Sequence, residues 1–327
     1  MPKEIPVELL RGVTHIVTHG NCADGLAAAI ILVDALHKPV RFMRPGSQEH
    51  CTLSPAPGML LCDIAPHPSR GDEFASSDVI VLDHHKQSQA LVERCHYGIF
   101  ADEEKEPGVS GALLALRHVW DPLVGPTSER RAAALDFATL VGISDTGQRS
   151  HPQWRKARAL SSALHFFTPK SWLRQGPCVF GQPWFHGRLA LGESLVAQHD
   201  RSVRAEHNGA HRFQSARGTS VLVVNSINTL TDMQDLEPDC DLIVGFHYLM
   251  DGGLPTMAVS MRSIGSFDCG ALAGSRGGGG HTRAAGFQYR VSTADVDPYT
   301  FVRSIVDEYE RSVVATAAVA ASQNTTV

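Results

Sequence analysis

Residues 77–85 read SDVIVLDHH, an unbroken apolar run closed by one aspartate and two histidines. A continuous apolar run, unlike an alternating one, suits a strand buried on both faces, as in a parallel sheet. The same shape recurs upstream in THIVTH at 14–19 and GMLLCDIA at 58–65, and VRFMR at 40–44 adds a shorter run. Between and after these lie segments of helical length and composition: DGLAAAIILVDALH at 24–37, GVSGALLALRHVW at 108–120 and ERRAAALDFATLVG at 129–142. The alternation predicts an α/β fold, a parallel sheet with covering helices.

From 148 to about 190 the pattern is irregular, with prolines at 152, 169, 177 and 183. A short helix is expected at 153–166 and a bridging helix at about 188–209. Three further strand candidates follow, TSVLVVNS, CDLIVGFHYL and PTMAVSMRS. GSFDCGALAGSRGGGGH then reads as a helix and a glycine loop, GFQYRV as a strand and PYTFVRSIVDEYERSV as a closing helix. The expected organisation is a first domain over 1–150 and a connecting region with a linker helix over 151–210. A smaller α/β domain over 211–315 and a disordered tail over 316–327 complete it.

A net charge of −5 argues against a dedicated long-duplex binder, although arginines gather at 201–217 and 262–283. Small or short anionic substrates fit this balance better. The seven cysteines form no C-x-x-C pair, and no signal peptide is apparent, so a reducing cytoplasm is expected. No apolar run approaches the roughly 20 residues needed to span a bilayer, so no membrane role is expected.

Polar residues that carry chemistry punctuate the strand ends. His19 and Asp24 follow the first run, Asp63 the GMLLC run, and Asp83, His84 and His85 close the VIVL run; Asp145 follows the helix at 129–142. Ligands of open α/β sheets bind beyond the carboxyl ends of the strands, so these clusters should converge. Carboxylates mixed with imidazoles favour manganese or magnesium over structural zinc. So many donors suit two ions roughly 3.5–4 Å apart with Asp63 bridging, the arrangement that activates water for phosphoester hydrolysis. Taken singly, Asp24 or Asp145 reads as a helix cap. The D-H-H triplet does not, since three adjacent polar residues are costly to bury without partners.

These residues resemble the DHH phosphoesterases: DHH at 83–85, the upstream histidine–aspartate motif HGNCADG at 19–25, an isolated strand-end Asp and a later D-T-G. SMRSIGSFDCGALAGSRGGGGHTRAAGF is similar to the DHH-associated domain. The resemblance covers roughly 12–147 and 205–313. It implies a two-lobed enzyme with two manganese ions (magnesium or zinc as substitutes) in the cleft between lobes. One ion would take His19 and Asp63, and the other Asp24, Asp63, His84 and Asp145. Asp83 would orient a histidine, and His85 would face the scissile phosphate. Arg262 and Ser263 would hold substrate, with Gly278, Gly279 and Gly280 admitting an anion to the backbone and His281 adding a donor. Where the family usually has an aspartate the chain has Cys22, either a softer ligand tilting its ion toward zinc or manganese, or a small packed residue.

The activity this implies is manganese-dependent, exonuclease-like phosphodiesterase hydrolysis of short oligonucleotides or dinucleotides to mononucleotides, and a homodimer is compatible with it. Hydrolysis of a cyclic dinucleotide or its linear product, and removal of the 3′-phosphate of 3′-phosphoadenosine 5′-phosphate, use the same chemistry and stay open. So does a non-catalytic nucleotide sensor that kept the fold. A pyrophosphatase or polyphosphatase is opposed by the R-S and G-G-G-H signature.

Overall fold

The computed structural model describes residues 4–20, 22–126, 130–174, 183–227, 229–251, 253–291 and 297–323. The chain divides into two compact units, Met1–Ala197 and Gln198–Val327.

The first unit is built on five parallel strands: β1 (His15–His19), β2 (Val40–Met43), β3 (Met59–Cys62), β4 (Ile80–Asp83) and β5 (Tyr97–Phe100). Their order is β2-β1-β3-β4-β5. The central β3 and β4 are buried at every position, which is why their sequences are continuous apolar runs. Alternate residues feed two cores. Ile16, Leu60, Ile80 and Leu82 pack under the helix Ala23–Leu36 and its neighbours, while Val17, Leu61 and Val81 face Phe74 and Val92 on the other side. Strand β5 was not expected from sequence. Its run YGIF is short, and Gly98 is needed in it because a Cβ there would lie 1.8 Å from the Val92 carbonyl oxygen.

The segment expected at 108–120 starts its helix at Gly111 (Gly111–Ala115) and continues through a π-helical stretch, Leu116–Trp120. The buried Asp34 accepts the Trp120 indole N–H at 2.7 Å and so locks this stretch to Ala23–Leu36. The helix expected at 129–142 is Arg131–Asp145, so Asp145 is its last residue and not part of a following loop.

The first compact unit does not end near residue 150 but at 197. The helix Trp154–Phe166 and the turn of helix Pro169–Leu173 bury Ala157, Leu160, Leu164 and Trp172 in the same core as Ile30 and Ile31. Arg188, early in the long helix Pro183–Asn208, sits 4.3 Å from the Phe167 ring and 4.2 Å from that of Trp172. Proline spacing suggested a linker here, but Ala157, Leu160, Leu164 and Trp172 between and after Pro152 and Pro169 are packed. Residues 175–182, in the middle of the expected connection, lie outside the described set.

The second unit holds a mixed sheet of β6 (His211–Gln214), β7 (Ser220–Val224), β8 (Leu242–Asp251), β9 (Leu254–Ser263), β10 (Gly279–His281) and β11 (Ala284–Arg290). The order is β10-β11-β9-β8-β7-β6, with only β7 and β8 parallel. The helices Cys269–Ser275 and Pro298–Gln323 cover one face through Leu272, Val302 and Ile305. Val203, Leu230 and Met233 cover the other. Part of the expected glycine loop is strand β10, and the closing helix runs through 316–323, where a tail was expected. Residues 324–327 lie outside the described set. Among the described residues no helix is long and apolar enough to cross a membrane.

The packing of Leu160 and Trp172 has a direct test. Residues 1–197 expressed alone are expected to melt cooperatively by circular dichroism. Residues 1–150 should aggregate or melt without a transition, because they expose the face of Ala23–Leu36 that those side chains cover.

Candidate metal centre

The strand order reverses between β1 and β3. At such a switch point an open parallel sheet leaves a crevice beyond its carboxyl ends. His19 ends β1, Asp63 follows β3, and Asp83 ends β4 with His84 and His85 behind it. Two helices complete the set. Ala23–Leu36 brings Asp24 in its first turn, and Arg131–Asp145 brings Asp145 at its last position.

Asp63 stands at the centre and is 1% exposed. Its φ of +59° is uncommon for a residue with a Cβ. This turn lets its N–H continue the ladder to the Leu82 carbonyl at 2.9 Å. Oδ1 lies 3.1 Å from His84 Nε2, whereas Oδ2 lies 3.6 Å from His19 Nδ1 and 3.7 Å from Cys22 Sγ. The two oxygens of one carboxylate thus address two different donor sets. His84 Nε2 is in addition 3.4 Å from Asp24 Oδ2 and 3.6 Å from Asp145 Oδ2. The donors form three overlapping groups, each with its atoms within 4.8 Å of one another. They are Asp63–Asp83–His84–His85, His19–Cys22–Asp63 and Asp24–His84–Asp145.

Several features fit divalent cations in this cluster. His19 Nδ1 is buried without a hydrogen-bond partner, since 3.6 Å to Asp63 is too long for one. Asp145 places a carboxylate at a helix C-terminus, where the macrodipole is already negative. Burial and then Asp63 push Asp24 up to about 7, and the same two causes raise Asp145. Burial alone would lower His84, but its contacts with Asp24 and Asp63 push it up to about 11. Burial would raise Asp63, yet the histidines around it hold its carboxyl well below the usual range. Protons gather here because three carboxylates crowd one imidazole, and a cation relieves the same crowding.

Asp24 has a second task. Both its oxygens accept backbone N–H groups, from Gly111 at 2.5 Å and Ala112 at 2.8 Å, at the start of Gly111–Ala115. Capping therefore is part of its role, but for a helix distant in sequence. Gly111 is demanded by this closeness: a Cβ there would lie 2.4 Å from that of Asp63 and 3.1 Å from Asp24 Oδ2. Gly25 is fixed in the same way, since a Cβ there would lie 2.2 Å from the His19 carbonyl oxygen. Sequence reasoning passed over both glycines and Ser110, whose hydroxyl accepts the Leu113 N–H at 3.3 Å. The Ser-Gly pair ahead of an apolar run was the available signal.

Asp83 Oδ1 accepts the His84 N–H at 2.9 Å and sits 2.7 Å from His85 Nδ1. That contact raises the pKa of His85 and fixes its ring. The Cys22 thiol is driven upward by burial and by Asp63. Without a cation it is a neutral thiol beside Asp63.

In the second unit Arg262 and Ser263 line a cavity of about 460 Å3 together with Arg283. Gly278, Gly279, Gly280 and His281 do not line it. His281 instead pairs with Ala284, which pairs with Arg262, so the three share one row across the sheet.

No family model and no curated protein matches the sequence. Solved structures do. The chain is similar to the pGpG-specific phosphodiesterase PggH from Vibrio cholerae at 13% identity and a TM-score of 0.60, over 89% of this chain and 98% of that one. It is similar to the DHH domain of a member of the S1p family of ribosomal proteins at 11% identity and a TM-score of 0.56, over 93% and 87%. At such identities the likeness is one of architecture, and this chain has the fold of DHH-domain proteins.

Proposed function

We propose that this chain is a divalent-cation-dependent phosphodiesterase, with manganese the cation its donors suit best, cleaving short oligonucleotides to mononucleotides. The observation that carries the reading is the carboxylate of Asp63, one oxygen toward His84 and the other toward His19 and Cys22. His19 and Asp63 would hold one ion, and Asp24, Asp63, His84 and Asp145 the other. Ions held there supply Lewis-acid activation of water and neutralise charge on phosphoryl oxygens. Asp83 fixes Nδ1 of His85 and favours its protonated form. His85 can therefore donate through Nε2 to a phosphate oxygen or to the departing alkoxide. Cys22 acts as a packed neighbour donating to Asp63, because its neutral thiol is a poor partner for a hard cation.

The short substrate is supported by the net charge of −5 and by the fold likeness to a protein named as a pGpG-specific phosphodiesterase. Arg262 and Ser263, with Arg283 beside them, offer a second unit of the chain for substrate phosphate. Gly278, Gly279, Gly280 and His281 are proposed to add to substrate binding.

Manganese-dependent release of mononucleotide from a labelled dinucleotide tests the reading. A panel with longer oligonucleotides, cyclic dinucleotides and 3′-phosphoadenosine 5′-phosphate ranks the alternatives. Asp63→Ala and His84→Ala are expected to abolish turnover, and His85→Ala to lower kcat about 10²–10⁴-fold. Arg262→Ala should raise KM about tenfold or more, the worth of a charge-assisted hydrogen bond. Nucleotide binding without turnover in the manganese-loaded wild type overturns the enzyme reading in favour of a sensor.

Metal loading should depend on pH in a defined sense. Manganese must displace the His84 proton throughout the neutral range, and below about 7 the Asp24 proton as well. Affinity measured by calorimetry should therefore rise about tenfold per pH unit above 7 and fall more steeply, about a hundredfold per unit, below it. Cys22→Ala should keep the same stoichiometry of bound manganese.

A further inference from the structure

Beyond the ends of β2, β3 and β4 lies a cavity of about 250 Å3 that shares Asp63, Asp83 and His85 with the metal centre. Its remaining walls are mostly apolar, with Pro45, Ile64, Ala65, Pro66, Pro68 and Leu91 joined by His50, Gln87 and Ser88. An apolar chamber opening directly onto crowded carboxylates needs an occupant with two kinds of surface. A phosphate or polyphosphate extension gains little from the apolar walls, because three of them are prolines without an N–H to donate. A flat heteroaromatic ring gains contact area on each pyrrolidine face. The volume lies below the roughly 300–1,000 Å3 of drug-sized pockets, so it holds a single ring system and not a dinucleotide.

The chamber is also built in advance. His50 is buried and uses both ring nitrogens, Nδ1 accepting the Gly46 N–H at 3.0 Å and Nε2 lying 2.9 Å from the Ala65 carbonyl oxygen. It is thereby a strut that ties the short helix Gln48–Cys51 to the 64–66 turn. Leu91 is held against Gly71, where a Cβ would come within 2.8 Å of Leu91 Cδ1. Proline and packed leucine walls lose little freedom on binding, which favours affinity. Gln87 also lines the cavity, and its exposed carboxamide offers donors and an acceptor to the edge of a ring.

We infer that this cavity is the nucleobase subsite of the metal centre, taking the base of the nucleotide whose phosphate is cleaved and restricting substrates to nucleotides over inorganic polyphosphates. The assignment rests on the phosphodiesterase reading of that centre. It places recognition of the reacting nucleotide within the first unit.

Two measurements test it separately from that reading. Calorimetry on the manganese-loaded protein compares guanosine and adenosine monophosphates with ribose 5-phosphate. The nucleotides are expected to bind at least about tenfold more tightly, the worth of burying one ring, and equal affinities overturn the inference whether or not the protein turns over. In the turnover assay, a dinucleotide is compared with its two versions made abasic at one position. One of the two should lose about tenfold or more in kcat/KM while the other stays near the parent. Cleavage of both at the parent rate overturns the subsite with the phosphodiesterase intact. Leu91→Trp, which fills the chamber, should raise KM for the dinucleotide about tenfold without changing bound manganese. Gln87→Ala, at an exposed position that leaves folding undisturbed, should alter the preference between bases, and an unchanged preference together with an unchanged Leu91→Trp KM counts against the inference.

Discussion

The buried carboxylate of Asp63 is the constraint around which the first unit is arranged. Its left-handed backbone costs on the order of 1–3 kcal/mol, which a protein retains only where the surroundings over-determine it. Here they do. The N–H must reach Leu82 to finish the β3–β4 ladder, while the side chain must point between His19 and His84. Both demands are met only by turning the chain at this residue. The neighbouring helix Gly111–Ala115 can then approach only with a glycine at its start, and its free N–H groups close on Asp24. Sheet end, helix start and site are one packed object.

That packing explains why the cluster calls for cations. Asp24 and Asp63 are almost fully buried, and Asp145 stands beside them at a helix end that disfavours negative charge. Burial and then Asp63 push Asp24 up to about 7, with the His84 imidazole set among three carboxylates. His19 has the opposite defect, a buried nitrogen with no partner. A divalent ion near His19 and Asp63 would answer one defect, and another near His84, Asp24 and Asp145, as proposed, would answer the other. The two proposed positions would share Asp63, so loading at one would change the charge felt at the other.

The strand-end residues were legible in the sequence because chemistry there interrupts apolar runs: D-H-H after VIVL, Asp63 after MLLC, His19 after HIVT. The parallel sheet followed from the same runs. What could not be read was tertiary in origin. Edge strands β5 and β6 are short, and β6 carries polar residues at exposed positions, so neither has a periodicity to detect. The end of the first unit was hidden because Pro152 and Pro169 punctuate the chain as linkers do, while Leu160 and Trp172 between and after them complete the core. Gly25 and Gly111 stood within segments of helical composition; only the distance across to His19 and Asp63 shows why nothing larger fits.

The glycine run of the second unit illustrates how a motif's residues can have a reason other than the one its pattern suggests. A Cβ on Gly278 would lie 2.5 Å from that of Phe287, and one on Gly280 2.5 Å from Cα of Ala285. Two of the glycines are therefore required simply for β10 to lie against β11 as an edge strand. Their presence by itself is no argument for an anion cradle, and the proposed binding of substrate phosphate rests more on Arg262 and Arg283, which share a cavity. The edge strand still matters to them. Through Ala284 it sets His281 two strand spacings from Arg262, roughly 10 Å, and on the same face of the sheet. Both side chains therefore flank Ala284 of β11 on that face. The glycines thus have a packing reason that holds independently of any part in substrate binding.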